Sequence, residues 1–391
     1  MTAPVILWRE SFGYGSIAWS QVYLSVVRST NNNFGSVQVG FEGSLAQWGR
    51  GSGADMGYAS KGGYAGLRAT TLGFADAVDT SAHSIGVAFA FQQAGNVGGS
   101  VLCEFWDDDG HGNGTFDVPL LHLSIETLAD GRICAKNGTG SGSGGPGTII
   151  GISTTVLPVG LNGANGNFTH IEIVPPASGQ LIHASNGGVR VYADGTLVLD
   201  LSGVSTRNSL GGSGKVGYVQ PLAFPARIFT DLVIHDCSGT GRIGDKRVSY
   251  RHATAAGTYT AGTAVGDSTR VLCVDDQACD GDTTYINFDD TSLPKAASFT
   301  CQAMPAETSS IDEVTPLVIL RKSDASADTN RTVLISNATE VDNGADRATP
   351  AGYNVSTLVG PAPGYQVDPH TSAAWTIANC DAAEVGARRI A

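Results

Sequence analysis

Phe168-Thr169-His170-Ile171-Glu172-Ile173-Val174 opens a stretch that closes at Cys237. Its middle is Val189-Arg190-Val191-Tyr192-Ala193-Asp194-Gly195-Thr196-Leu197-Val198-Leu199-Asp200, and its end is Ile228-Phe229-Thr230-Asp231-Leu232-Val233-Ile234-His235-Asp236. Each run alternates apolar and polar residues over five to eight positions. That is the period of a strand with one face buried. Asp194-Gly195 stands between two such runs. Asp-Gly accepts the positive φ of a type I′ turn, so the pair predicts a hairpin.

Working outward, the same period recurs at Ser84–Phe91, where Ile85, Val87, Phe89 and Phe91 share a face. Val101–Trp106, Leu120–Ile125 and Lys215–Val219 continue it, and Gly131–Ala135 follows a second Asp-Gly at Asp130. Pro4–Trp8 reads as a first strand. Fifty-two glycines and only 15% charged residues suit short strands joined by tight turns; a helical chain needs more Leu, Glu and Lys. Asn137–Gly147 and Gly211–Gly214 are Gly/Ser-rich and read as exposed loops.

Ser238-Gly239-Thr240-Gly241 marks a change of character. It divides the chain into 1–240 and 241–391. In the second part Gly244–Tyr250, Asp280–Ile286, Ala297–Ala303, Val314–Arg321, Thr332–Ser336 and Tyr353–Val359 read as strands. Asp368–Thr376 reads as a helical turn, followed by Glu384–Arg388. The expected class is all-β, a jelly-roll sandwich followed by a smaller β-sandwich-like domain.

The net charge of −13 argues against nucleic acid and anionic membranes as partners. No apolar run of about 18 residues is present to insert in a bilayer. Met1-Thr2-Ala3-Pro4-Val5 has neither a basic nor an apolar signal-peptide region. Seven scattered cysteines without a C-x-x-C read as reduced thiols of a chain made in a cytoplasm.

The strand His170–Ile173, the hairpin Val189–Asp200 and the strand Phe229–Asp236 together resemble the concanavalin A-like (laminin G-like) jelly roll. Gly244-Asp245-Lys246-Arg247-Val248 comes next, then Asp275-Asp276 and Asp280–Ile286. Asp368-Pro369, Thr371, Ala374–Thr376 and Glu384–Gly386 close the chain. In that order these segments are similar to virion structural proteins of tailed bacteriophages. The resemblance implies a non-enzymatic structural component of a tailed phage particle, displayed on tail tip, fibre or collar and assembled in host cytoplasm. It implies a second domain for virion attachment or assembly, other virion proteins as partners, and a homo-oligomer, either a trimer or copies docked on a ring. The alternatives within it are a carbohydrate-binding receptor module contacting host cell-surface glycan, a head decoration or fibre protein, and a glycan hydrolase.

A hydrolase needs two carboxylates about the glycosidic bond. On a single strand the nearest set is Glu104-Phe105-Trp106-Asp107-Asp108-Asp109, but the strand is expected to end at Trp106. Ile171-Glu172-Ile173 offers one carboxylate. The expectation is therefore no catalytic residue. Asp107, Asp109 and Asn113, in a Gly-rich turn, are candidate Ca²⁺ ligands, although Val118 stands where an EF-hand loop begun at Asp107 needs Glu. Trp48, Tyr58 and Tyr64 are candidate sugar-stacking rings.

Overall fold

A strand directs successive side chains to opposite faces, so an alternating sequence separates a core face from an outer one. The computed structural model realises this from Ile85 onward: the strand Ile85–Gln93 buries Ile85, Val87 and Phe89 in one core. The structure describes residues 5–10, 85–93, 100–106, 121–138, 147–157, 169–209, 215–216, 218–221, 227–237, 241–244, 246, 251–275, 283–289, 291–304, 306, 308–322, 328–342, 347–348, 354–357 and 365–390. Short strand pieces at 26–27, 40–41, 54–55, 64–65, 67–68 and 78–79 complete the set.

The described chain is almost entirely β and forms two compact units, Met1–Ser249 and Tyr250–Ala391. The first contains β1 (Val5–Glu10), β2 (Ile85–Gln93), β3 (Ser100–Trp106), β4 (Leu121–Thr127), β5 (Arg132–Asn137) and β6 (Thr148–Val156). It continues through β7 (Thr169–Val174), β8 (Gly187–Ala193), β9 (Thr196–Val204), β10 (Tyr218–Pro221) and β11 (Arg227–Asp236). One antiparallel sheet runs β9-β8-β7-β2-β11, with β1 and the short strand Ala54–Asp55 along the far edge of β11. The second runs β6-β5-β4-β3-β10 and ends on Leu67–Arg68. Phe89, Ile171, Ile173, Val189 and Val191 from the first sheet meet Phe105, Leu123, Ile125 and Ile133 from the second. Each such side chain contributes roughly 1.5–3 kcal/mol on leaving water. This is the two-sheet sandwich that the alternation predicts and that the jelly-roll resemblance implies.

The Asp194-Gly195 turn has φ 45° and 79°, both positive, as a type I′ hairpin requires. Asp194 also accepts the His170 backbone N–H at 2.8 Å through Oδ1, which fastens the hairpin to β7.

The strand expected over 244–250 lies, apart from Gly244 and Lys246, outside the described residues; residues 241–244, which lead into it, are described. They cross the outer face of the first sheet. The reason is Glu172, fully buried on that face. Its carboxylate accepts Arg242 Nε at 2.9 Å, the Ile243 N–H at 2.5 Å and the Gly244 N–H at 3.4 Å. Arg242 also lies 3.8 Å from the Tyr192 ring centroid, and Ile243 packs on Ala88 and Val233. The compact first unit accordingly runs nine residues beyond the composition change at 240.

The second unit contains β12 (Ala253–Thr260), β13 (Lys295–Cys301), β14 (Thr329–Ser336), β15 (Thr339–Asp342), α1 (Ile377–Asp381) and β16 (Glu384–Arg389). Its sheet runs β12-β13-β16-β14-β15, so the last strand in sequence lies in the middle. The apolar C-terminal segment is thereby tied within its own sheet. Trp375 is buried with Leu334, Cys380 and Ala383, and its Nε1–H donates to the Tyr365 carbonyl at 2.8 Å. Asp368–Thr376 is a turn between two-residue strands instead of a helical turn; the helix begins one residue later, capped by Thr376 accepting the Asn379 N–H. Asp368 holds this corner by accepting from Ser336, the His370 N–H, Thr371 and Asn379. Burial works to raise its pKa, but these bonds outweigh that and bring it below the usual carboxylate value.

Two substitutions test this account. A Cβ on Gly386 would stand 1.9 Å from the Ala297 carbonyl oxygen on the neighbouring strand. Gly386→Ala should destabilise the second unit by about 3 kcal/mol, read from urea unfolding. Ala338, in the β14–β15 turn, has φ 64°. Ala338→Gly should relieve that left-handed conformation and stabilise by about 0.5–1 kcal/mol, raising the melting temperature.

Candidate active site

The outer face of the second sheet gathers polar side chains between the buried apolar ones. On β3, Cys103 and Phe105 enter the core while Glu104 and Trp106 face out. On β4, Leu123 and Ile125 enter the core while His122, Ser124 and Glu126 face out; on β5, Ile133 and Ala135 alternate with Cys134 and Lys136. The register sets Glu104 opposite Ser124, and Ser124 opposite Lys136. Glu126 is then diagonal to Glu104 on the adjacent strand, a position with Cβ atoms roughly 7–8 Å apart. A bulge at the Ile125/Glu126 step, where Leu102 lacks a partner, shifts the ladder at this point.

The two carboxylates occupy different environments. Glu126 is ion-paired with Lys136, Nζ to Oε2 at 2.5 Å, and accepts the Ser124 hydroxyl at 2.9 Å. Glu104 is only 5% exposed and accepts one bond, from Trp106 Nε1 at 3.2 Å. Its Oε1 has no bond partner among the described residues. Burial pushes the Glu104 pKa up to about 7; the indole N–H works against the rise and the charge of Glu126 adds to it. The two neighbouring carboxyl groups therefore differ: Glu126 is ion-paired with Lys136, and Glu104 keeps its proton up to about pH 7.

The other groups on this face have supporting parts. Cys134 has its thiol pushed up to about 11, chiefly by burial, then by Glu126, with Lys136 opposing; it is no nucleophile at neutral pH. His122 is buried, and its Nδ1 accepts the Asn208 N–H at 3.1 Å. Asn208 Nδ2 donates to the Leu121 carbonyl at 2.8 Å, so this pair anchors the segment after β9 to the start of β4.

Of the residues expected from sequence, Trp48, Tyr58, Asp107, Asp109 and Asn113 lie outside the described residues. Tyr64 falls in a two-residue strand paired with Val26–Val27, and its side chain is outside the description. Among the described residues no group of three or more His, Cys, Asp or Glu side chains is placed to hold a metal ion. The expectation of no catalytic carboxylate pair came from seeking both on one strand. β3 does end at Trp106, but the second carboxylate comes from β4. The signal in the sequence is a pair of outward Glu residues, Glu104 and Glu126, on consecutive alternating runs. Glu172 is different: the bonds from residues 242–244 occupy both its oxygens.

No family model matches the chain, and no curated protein sequence matches it. Solved structures do. An endo-β-1,4-glucuronan lyase from the fungus Trichoderma reesei is 11% identical, with 61% of this chain and all of that one covered at a TM-score of 0.34. An alginate lyase is 12% identical, covering 63% and 98% at 0.28. A Trypanosoma rangeli sialidase is 13% identical, covering 47% of this chain and 25% of its own at 0.27. These are glycan-processing enzymes, not particle components, and the expectation of a non-enzymatic structural protein is withdrawn on this finding. Likeness of this degree assigns no activity to the present chain; that has to come from its own side chains.

Glu104 makes the site visible in stability. Its folded pKa of about 7 exceeds the ordinary 4.5. Below the lower value both folded and unfolded states are protonated and nothing is lost. As pH rises toward 7 the unfolded chain ionises first, and stability falls by about 3 kcal/mol. Glu104→Gln keeps an acceptor for Trp106 and removes the titration. It should be nearly neutral at pH 4 and stabilising by about 3 kcal/mol at pH 8, in urea unfolding at the two pH values.

Proposed function

We propose that the protein cleaves a glycosidic bond of a polysaccharide lying on the outer face of the second sheet. Glu104 donates a proton to the leaving oxygen through the carboxyl oxygen that has no partner. Glu126 supplies the negative charge that stabilises the positively charged sugar ring of the transition state; a water then bonds to the anomeric carbon and gives its proton to the deprotonated Glu104, which restores the acid. Lys136 and Ser124 hold Glu126 in place. The observation that carries this reading is the pair itself, two carboxylates on adjacent strands of one face, in contrasting surroundings. Glu104, protonated up to about pH 7, supports the acid role. The resemblance to tailed-phage virion proteins supports a host-surface polysaccharide as the substrate and the particle as the place of action.

The test is release of reducing ends from a panel of bacterial surface polysaccharides. Glu104→Gln should lower kcat by about 10²–10⁴-fold while leaving binding intact. The rate should decline as pH rises through about 7, where the acid loses its proton. A polysaccharide that is bound by the wild-type protein and never cut would remove the catalytic reading.

A further inference from the structure

The strands of the second sheet contain three basic residues, Arg68, Arg132 and Lys136. Lys136 is paired with Glu126 at 2.5 Å, and Arg132 with Asp130 at 2.7 Å. Arg68 belongs to the edge strand beyond β10, two strands from β3 and three from β4. Acidic residues outnumber these. Glu104, Glu126 and Asp130 lie on β3, on β4 and in the turn after β4. The segment 107–120, which joins β3 to β4, adds Asp107, Asp108, Asp109 and Asp117 and no Lys or Arg. The connections 138–147 and 157–168, before and after β6, carry no charge, and neither does β6 itself. Next to β5 the outer face continues as apolar surface. Ile149, Ile152 and Val156 of β6 stand opposite Lys136, Cys134 and Arg132 and are 46%, 40% and 51% exposed.

We infer that the substrate of this face is an uncharged polysaccharide, and that chains bearing carboxylate groups are rejected. This rests on the reading that a polysaccharide lies across β3–β6, and it names the class of that polysaccharide. A sugar carboxylate on this face gains no cation of its own. To reach Lys136 or Arg132 it must displace Glu126 or Asp130, and the displaced carboxylate is then left beside a like charge. Like charges brought together at an interface are strongly disfavoured, and a partly buried anion stripped of its partner is more so. Losing Lys136 would also loosen Glu126, the group that the cleavage step needs in place. An uncharged sugar meets none of these costs. A carboxylate accepts more than one bond at each oxygen, so sugar hydroxyl groups can donate to Glu126 without disturbing Lys136 or Ser124. The C–H faces of sugar rings cover apolar side chains and leave Ile149, Ile152 and Val156 less exposed to water.

The experiment uses the full chain, as wild type for cleavage and as Glu104→Gln for binding, so that bound chains stay whole. The probes are neutral bacterial surface polysaccharides, and acidic ones each paired with its own carboxyl-reduced form, in which carbodiimide and borohydride have turned the carboxyl groups into hydroxymethyl groups. Titration calorimetry should detect binding of neutral or reduced chains, with a reduced chain bound at least about tenfold more tightly than its acidic parent. Binding of the uncharged chain should not change between about 0.05 and 0.5 M salt, because no charge is being screened. An acidic chain bound or cut better than its reduced form overturns the inference, and so does a protein that binds no neutral or reduced chain. A neutral chain that is bound and never cut upholds the substrate class and removes only the cleavage step; an acidic chain that is cut does the reverse.

Discussion

The pleat of β3, β4 and β5 governs both the core and the site. Phe105, Leu123, Ile125 and Ile133 are drawn inward by the hydrophobic effect, and that leaves Glu104, Ser124, Glu126 and Lys136 no choice but the other face. Burial of the apolar set fixes the register, because a one-residue slip would exchange the two faces completely. The carboxylates are thus positioned by strands whose placement the core enforces, which is a more rigid support than a loop.

Glu104 and Glu172 show how environment separates two buried carboxyl groups. Both are buried on outer sheet faces. Glu172 is met by a guanidinium and two backbone N–H groups, which together offset the several kcal/mol cost of taking a charge out of water. Its result is mechanical: the chain leaving the jelly roll is held down along the row Tyr192, Glu172, Ala88, Val233. Glu104 is met by one indole N–H and a like charge, so its desolvation is not offset and the proton stays on longer. The same residue type, buried in both places, becomes a clamp in one and a carboxyl that holds its proton to about pH 7 in the other.

In the second unit, residues that carry the resemblance to virion proteins have local structural work. Asp368 gathers four donors at a corner, Trp375 closes a small core, Glu384 accepts from Thr258 and Ser298, and Gly386 permits the close approach of β13. Those parts follow from hydrogen bonding and packing within the unit, whatever the protein is attached to.

The sequence alone determined the all-β class, most strands from Ile85 to Asp236 though not β6, and the Asp194-Gly195 hairpin. Side-chain period and turn chemistry are local, and each run states them by itself. It also showed that β3 ends at Trp106. It did not reveal that Glu104 lies diagonal to Glu126, because which strand lies beside which, and in what register, is decided by how the two sheets close over their shared core. Nor could it distinguish Glu104 from Glu172. The surroundings of a carboxyl group are the donors and charges that folding brings to it, and Arg242 arrives at Glu172 from seventy residues away. The path of residues 242–244 was hidden for the same reason: a buried carboxylate on a distant strand accepts the Ile243 and Gly244 N–H groups.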